Sequence, residues 1–375
     1  MLPRQAIATG WARTAFANGF TRADACALAA QLCAGLAYIH EHGFVHRDVK
    51  AANILLSGRT LKFADLGLAK AIDTAAASAA HTACGTRPFA APEVLDGVYS
   101  ARADLYSLGL VATELASGTS FWSRLVAAGL HTQEPRRTGG SQLAAWQDSM
   151  AREWLLDATV REAAAAVPQL GVVADGFLRT PTHERMTLQQ AAEACAADEA
   201  HGQSVLAAHL AAAVAVLHDA AGGAAVPEAK LGCAVKTVER LLCTQPAAEQ
   251  PAAISALCAL LNSPHDIAAA PRVAAAHALG TLRAHAALEV LSQLLSVAAS
   301  SAALPQARLA ALQALATLDA VTAQTAPVAV HPLGGGPLPA EDALMKMERA
   351  AVAEPAEAQR SIRIAAMDVR RSWYR

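Results

Sequence analysis

Five short polar motifs follow one another between residues 46 and 109, and apolar segments separate them. The motifs are HRDVKAAN (46–53), DLG (65–67), GT (85–86), APE (91–93) and DLYSLG (104–109). Val45 and the run Ile54–Leu56 flank the first motif, and Leu61–Ala64 leads into the second. We expect these apolar segments to form short buried strands, which would hold the polar side chains on tight turns.

A helix is predicted immediately before the first motif. Apolar residues recur there at steps of three and four positions, which gives a helix one buried face. These residues are Ala25, Leu28, Leu32, Leu36 and Ile39. Gly43 is placed to end the helix, because glycine readily adopts the left-handed conformation that follows many helices.

Taken together, the five motifs resemble the C-terminal lobe of the protein kinases, in that family's order and approximate spacing. The resemblance covers about residues 21–197, roughly half of the chain. Lys50 stands two residues after Asp48, as in kinases that act on Ser or Thr, whereas tyrosine kinases generally lack a lysine there. The sequence is therefore similar to the Ser/Thr class.

The resemblance implies a role for each polar residue of the first two motifs. Phosphoryl transfer depends on positioning and charge neutralisation. Asp48 matches the carboxylate that orients the attacking hydroxyl, and Lys50 matches the lysine that neutralises the transferring phosphate. Asn53 and Asp65 match the ligands of Mg²⁺, a hard cation that prefers oxygen, and with it they would bind the cofactor ATP. Taken alone, the two aspartates could be solvated loop acids, but their offsets from Lys50 and Asn53 favour the catalytic interpretation.

Residues 65–93 correspond to the activation segment of the family. Thr82 matches its regulatory phosphorylation site, and Arg47 could pair with a phosphate there. Thr86 matches the threonine that contacts Asp48 and Lys50 during substrate docking. Two alternatives remain open for Thr82: it is a plain polar loop residue, or the regulatory site is one of two other hydroxyls, Thr74 and Ser78.

Three further residues match structural positions of the family. Glu93 and Arg185 correspond to the partly buried ion pair that locks the C-terminal lobe. Asp104 corresponds to the helix carboxylate that braces the backbone of the catalytic loop.

The family pattern departs at the N-terminal side. A kinase needs a second lobe with a glycine-rich loop, a strand lysine and a helix glutamate. No G-x-G-x-x-G occurs before the first motif, and the first lysine of the chain is Lys50. Three explanations remain: a truncated or fragmentary kinase, a pseudokinase that became a binding platform, or a lobe supplied in trans. We favour the first, because all the catalytic residues are present.

The region from about residue 201 onward consists of Ala- and Leu-rich helical patterns broken by Pro and Gly. The motif RVAA at 272–275 recurs 36 residues later as RLAA at 308–311, and more weakly as RIAA at 363–366. A Pro/Gly-rich break lies near residues 327–340. This pattern resembles HEAT-type repeats, in which stacked helix pairs share one core. The alternative is a nonrepeating Ala-rich bundle.

The expected fold is mainly α, because about a quarter of the chain is Ala and only 4% is aromatic. We expect a kinase-like C-terminal lobe in residues 1–200 and a HEAT-like α-solenoid in residues 201–375. The expected function is that of a protein serine/threonine kinase that uses ATP and Mg²⁺, fragmentary as given. The alternative is an inactive pseudokinase scaffold that binds protein partners through its helical repeats.

Composition limits the partners and the compartment. The formal net charge of -2 gives no electrostatic signal for nucleic acid or anionic lipid, so we expect neither as a partner. No uninterrupted apolar run reaches the length of a membrane span. The seven cysteines are scattered without a C-x-x-C pair, which favours a reducing, cytoplasmic location. The expected partners are a protein substrate or protein partner, and ATP if the missing lobe is supplied.

Overall fold

The structure of the chain is a computed structural model. The described residues are 21–57, 59–71, 89–95, 99–127, 149–196, 202–244, 250–263, 265, 267–281, 308, 311–312, 327–328 and 338–339. The chain divides into two compact units, residues 1–209 and residues 210–375. The boundary predicted at residues 200 and 201 falls outside the described ranges and stays a prediction.

Helices dominate the described part of the first unit. They are α1 (Arg22–Glu41), α2 (Pro92–Leu95), α3 (Ala101–Ser117), α4 (Phe121–Ala127), α5 (Ser149–Ala166), α6 (Pro168–Phe177) and α7 (Leu188–Ala196). A further helix, α8 (Gly202–Ala221), begins in this unit and ends in the second. The prediction of a mainly α protein is confirmed.

Helix α1 ends where the sequence predicts, and a capping box that was not predicted marks its start. Thr21 forms a capping box with Asp24: the Asp24 amide donates to Thr21 Oγ1 at 3.2 Å, and the Thr21 amide donates to Asp24 Oδ2 at 2.8 Å. The helix ends at Glu41, and Gly43 follows with a φ of 79°. The apolar face of α1 is buried and packs against α7, which fixes one wall of the core.

Four short strands surround the first two polar motifs. They are β1 (Phe44–Val45), β2 (Ile54–Ser57), β3 (Thr60–Phe63) and β4 (Lys70–Ala71). β2 and β3 form an antiparallel hairpin in which Ile54 pairs with Phe63, and β1 pairs antiparallel with β4. The predicted strands are thus present, and the motifs lie at their ends. The prediction that these strands are buried is wrong in part, because only one face of the hairpin packs on the core and Leu55 in β2 is 48% exposed.

Helix α3 is the centre of the first unit. Every residue from Ala103 to Ala116 is buried, as expected for a helix that is surrounded by other elements. It packs against α5 and α6, and Gly118 ends it with a φ of 68°. Helix α3 also carries Asp104 of the fifth motif, which accepts hydrogen bonds from the backbone of the first motif.

The described part of the second unit contains α9 (Glu228–Leu241), α10 (Gln250–Asn262) and α11 (Ala269–Thr281), and both α9 and α10 pack against α11. Two short strands, β5 (Pro327–Val328) and β6 (Leu338–Pro339), pair within the predicted Pro/Gly-rich break. The second and third repeat copies fall largely outside the described residues. The HEAT-like arrangement therefore stays a prediction.

Two described helices, α1 and α8, have the length and the apolar composition that a membrane span requires. Neither helix is an uninterrupted apolar run in the sequence, because Gln31 interrupts the apolar stretch of α1 and His209 that of α8. Core helices of soluble proteins have the same properties, and α1 contributes several side chains to the core of the first unit. The expectation of no membrane partner stays a prediction.

Candidate active site

The catalytic-loop motif forms the connection between β1 and β2. Val49 is buried inside it, and Ile54 at its end is fully buried. Residues 51–53 form one turn of 3₁₀ helix that leads directly into β2. These apolar anchors fix the backbone on both sides of Asp48 and Asn53. The sequence predicts Ile54 through the apolar run that it begins, whereas Val49 was not predicted as an anchor.

Three of the predicted site residues are in direct contact. Lys50 Nζ donates to Asp48 Oδ2 at 2.7 Å, and Asn53 Nδ2 donates to the same oxygen at 2.8 Å. Asn53 Nδ2 also donates to the backbone oxygen of Asp48 at 2.8 Å. The Asp48 carboxylate is buried, so these charged and polar donors offset the loss of its hydration.

Asp65 lies at the same end of the β2–β3 hairpin as Asn53. Asn53 precedes the first residue of β2 and Asp65 follows β3, and the Ala64 amide donates to the Asn53 carbonyl at 2.8 Å. Asp65 adopts the left-handed conformation with a φ of 58°, and it is exposed. The hairpin therefore places the two predicted metal ligands on neighbouring strand ends, although they are twelve positions apart.

The donor chemistry at this hairpin end fits Mg²⁺. Asn53 uses its amide nitrogen on Asp48, which leaves its amide oxygen as the atom suited to a hard cation, and Asp65 offers a carboxylate. Within the described ranges, no group of three or more His, Cys, Asp or Glu side chains is arranged to hold a metal ion. A site with two protein oxygens suits an ion that takes its remaining ligands from water and phosphate.

Asp104 joins helix α3 to the catalytic loop. Its Oδ2 accepts from the His46 amide at 2.8 Å and lies 2.9 Å from His40 Nε2. Its Oδ1 accepts from the Arg47 amide at 2.9 Å and from the Tyr99 hydroxyl at 3.3 Å. The side chain is fully buried. The bracing role implied by the resemblance thus has a geometric basis.

His40 and Tyr99 are partners of Asp104 that the sequence analysis missed. His40 lies in the last turn of α1, and Tyr99 immediately precedes the N-cap of α3. Neither belongs to a predicted motif, and each is brought to Asp104 by packing of separate elements. The only signal in the sequence is position: His40 lies near the end of the helix before the first motif, and Tyr99 lies in the segment before the helix that carries the fifth motif.

The loop also fixes the imidazole of His46. The Asp48 amide donates to His46 Nδ1 at 3.3 Å, so Nδ1 is the acceptor nitrogen of the ring. The ring lies 5.4 Å from that of Phe63 on β3, measured between centroids. His46 is fully buried and contributes to loop geometry rather than to contacts with solvent.

The three predicted regulatory residues have different outcomes. Arg47 is described: its guanidinium lies over the Tyr99 ring, 5.1 Å from the ring centroid. Thr82 and Thr86 lie outside the described residues, as do the rival sites Thr74 and Ser78. Their assignment stays a prediction.

The ion pair predicted between Glu93 and Arg185 is present. Arg185 Nη1 and Nη2 donate to the two carboxylate oxygens of Glu93 at 2.5 and 2.8 Å, which is a bidentate arrangement. The Arg185 side chain is fully buried and also donates to the carbonyls of Arg179 and Arg102. The pair holds the short helix α2 against the rest of the unit.

Comparisons with known proteins agree with this geometry. Residues 10–195 match the protein kinase domain. This match, together with the kinase relatives described next, supports a relationship to the protein kinase superfamily. A stretch of 87 residues is 48% identical to the serine/threonine-protein kinase sid1 of Schizosaccharomyces pombe, and it covers 22% of this chain and 18% of that protein.

Two further relatives are similar over nearly the same length. The chain is 45% identical over 101 residues to a human ribosomal protein S6 kinase-related protein, which covers 26% of this chain and 24% of that one. It is 40% identical over 106 residues to a probable myosin light chain kinase of Dictyostelium discoideum, covering 27% and 30%. The chain thus spans less than a third of the length of these relatives.

Proposed function

We propose that this chain carries the catalytic lobe of a protein serine/threonine kinase, as a fragmentary kinase domain that acts on protein substrates with ATP and Mg²⁺. The observation that carries the proposal is the contact of Lys50 and Asn53 with one oxygen of the Asp48 carboxylate. A carboxylate held in this way is a suitable proton acceptor for a hydroxyl, and a lysine beside it is a suitable partner for a phosphate.

In the proposed reaction the hydroxyl oxygen of a Ser or Thr side chain forms a bond to the γ-phosphorus of ATP. The bond between that phosphorus and the β,γ-bridging oxygen breaks, and ADP leaves with the electron pair. Asp48 accepts the proton of the hydroxyl, and Lys50 balances the charge of the transferring group. Bound Mg²⁺ would neutralise phosphate charge, with Asn53 and Asp65 as its protein ligands.

The regulatory part of the proposal concerns Arg47. A phosphate on Thr82 would pair with its guanidinium, and Thr86 would contact Asp48 and Lys50. We further propose that the protein acts in the cytoplasm. Both assignments follow from the resemblance to the family and from the cysteine pattern described above.

The first test is nucleotide binding to the 375-residue chain, measured by calorimetry with and without Mg²⁺. We expect binding that requires Mg²⁺, and weak binding, because no glycine-rich loop precedes the catalytic motif. Asp65→Asn should abolish the difference between nucleotide affinity with and without Mg²⁺, because it removes a charged ligand of the ion. Asp219→Asn, the same change at an exposed position of α8, is the matched control and should bind as the wild type does.

The second test is phosphate transfer to a generic Ser/Thr protein substrate. Asp48→Asn should lower transfer by about 10²- to 10⁴-fold, the usual contribution of a positioned proton acceptor. Transfer that is unchanged in Asp48→Asn would contradict the catalytic assignment.

The alternative function is that of a scaffold without catalytic activity. It is favoured by one observation, the lack of a G-x-G-x-x-G motif and of any lysine before Lys50. In that case the helical second unit would bind protein partners. A chain that neither binds nucleotide with Mg²⁺ nor transfers phosphate would favour this alternative over the enzyme.

A further inference from the structure

The backbone of Arg47 is strained. Its φ is 69°, and Arg47 and Asp65 are the two residues other than glycine with a positive φ within the described parts of the chain. A long side chain in this region has a cost of about 1–3 kcal/mol and persists only where the surroundings enforce it. The contacts of Arg47 therefore indicate what keeps Asp48, the next residue, in place.

Two contacts of Arg47 restrain it from different sides. Its amide donates to Asp104 Oδ1 at 2.9 Å, which fixes the backbone. Its guanidinium lies over the Tyr99 ring at 5.1 Å from the centroid, within the range of a cation–π interaction. The hydroxyl of Tyr99 donates to the same Asp104 Oδ1 at 3.3 Å, so Arg47, Tyr99 and Asp104 form a closed triangle.

We propose that Tyr99 is a positioning residue for the catalytic loop, which acts by holding Arg47 in its left-handed conformation so that Asp48 faces the site. Tyr99 lies just before Ser100, the N-cap of α3, and it is half-buried. It therefore connects the start of the central helix with the loop of the first motif, 52 positions earlier in the chain.

The ring of Tyr99 contributes more to this function than its hydroxyl does. A distance of 3.3 Å is long for a hydrogen bond between two oxygens, which is typically 2.7–2.8 Å. Asp104 also has three other donors, so loss of the hydroxyl leaves its carboxylate well satisfied. An aliphatic side chain at this position, in contrast, offers the guanidinium no π face, so the cation–π interaction is lost.

The test is hydrogen exchange of the catalytic-loop amides in the full chain, followed by mass spectrometry on peptides that span residues 44–50. Tyr99→Leu should speed exchange of the His46 and Arg47 amides on the order of 3-fold to 30-fold, the equivalent of one cation–π contact. Tyr99→Phe keeps the ring and should exchange as the wild type does. Tyr38→Leu is the matched control, because Tyr38 lies on α1 with 63% of its surface exposed.

A second variant separates the proposed role from ordinary packing. Arg47→Gly removes both the strain and the guanidinium, because glycine adopts a positive φ without cost. In the Arg47→Gly background, adding Tyr99→Leu should therefore change exchange no further. If Tyr99→Leu does not fold, Tyr99→Met, which also lacks an aromatic ring, replaces it under the same criteria.

Three results would overturn the proposal. The first is a rate of amide exchange in Tyr99→Leu equal to that in Tyr38→Leu. The second is the same acceleration of exchange in Tyr99→Phe as in Tyr99→Leu. The third is an effect of Tyr99→Leu on exchange that is as large in the Arg47→Gly background as in the wild type. The kinetic arm alone rests on the proposed function: Tyr99→Leu should lower kcat for phosphate transfer with KM for nucleotide unchanged, and Tyr99→Phe should restore it. If the wild-type chain transfers no phosphate, the proposed kinase function is contradicted. The role of Tyr99 is then decided by the exchange measurements alone.

Discussion

Two buried carboxylates on helix α3, Asp104 and Glu114, are stabilised to very different degrees. Asp104 has four hydrogen-bond partners at its two oxygens: the amides of His46 and Arg47, the Tyr99 hydroxyl and His40 Nε2. Glu114 accepts from the Phe121 amide at 2.6 Å through Oε1, while its Oε2 has no hydrogen-bond partner among the described residues. Burial raises the pKa of Glu114 to about 7, although the Phe121 amide and the charge of Arg124 partly oppose this.

Glu114→Gln should remove a pH dependence of stability in the first unit. Below pH 4.5 the carboxyl is neutral in both the folded and the unfolded states, and its burial has no charge cost. Between pH 4.5 and about 7 the unfolded chain releases the proton first, so wild-type stability falls as the pH rises. Relative to the wild type, the variant should gain on the order of 2–3 kcal/mol across this window in urea denaturation. Parallel stability curves for the two proteins would contradict the assignment.

At the residue scale the sequence predicts contacts that a motif encodes and misses those that folding creates. The contact between Asp48, Lys50 and Asn53 was predictable, because these residues lie within six positions of one another. The contacts of Asp104 with His40 and Tyr99 were not, since they depend on the packing of α1 and of the segment before α3. The unsatisfied environment of Glu114 likewise follows from its depth in the core, which no local pattern specifies.

At the element scale, the close approach of α3 and the end of α6 depends on a glycine. A Cβ added at Gly109 would lie 2.9 Å from Phe177 Cβ and 3.0 Å from Leu178 Cγ. Both neighbours are buried and belong to the end of α6 or the residue after it. They are therefore unable to move aside without disturbing the core, and a side chain at residue 109 would push the two helices apart.

Gly109→Ala should accordingly destabilise the protein by about 1–3 kcal/mol, the usual cost of overpacking. Gly232→Ala is the matched control, because a Cβ at that position of α9 meets no atom within 4 Å. The control should be neutral or stabilising by up to about 1 kcal/mol, since alanine favours helix over glycine. Chemical denaturation measures the free energy of unfolding of both variants. An equal loss in the two would show that close packing at α3 does not cause the destabilisation.

The elements themselves were largely predictable where a local signal exists. The apolar runs predicted β2 and β3 to within one residue, and glycine at residue 43 predicted the end of α1. The pairing of β1 with β4 was not predicted, because two-residue strands carry no periodicity and depend on the surrounding helices. The sequence pattern therefore predicts the strands and the helix end beside the site better than it predicts how the strands pair.

At the scale of the whole molecule, the two units contain buried acids with opposite behaviour. In the second unit Glu239 on α9 is buried, accepts from Lys236 Nζ at 3.1 Å, and lies 3.2 Å from His277 Nδ1 on α11. Burial raises the pKa of Glu239, but the hydrogen bond from His277 and the charge and hydrogen bond of Lys236 together outweigh it and lower the pKa to about 2. This acid therefore stabilises its unit when it is charged, unlike Glu114.

Glu239→Gln should therefore weaken the second unit at neutral pH and have little effect in strong acid. The wild-type carboxylate contributes stability above pH 4.5, and this contribution is lost as the pH falls from 4.5 toward about 2. At pH 7 the variant should lose on the order of 2–3 kcal/mol.

Hydrogen exchange of the intact chain measures both units at once: protection should fall in α9 and α11, while α3 stays unchanged. Glu228→Gln, an exposed acid at the start of α9, is the control and should have a much smaller effect. Loss of protection in α3 as well, or an effect that persists at pH 2, would contradict this account of Glu239.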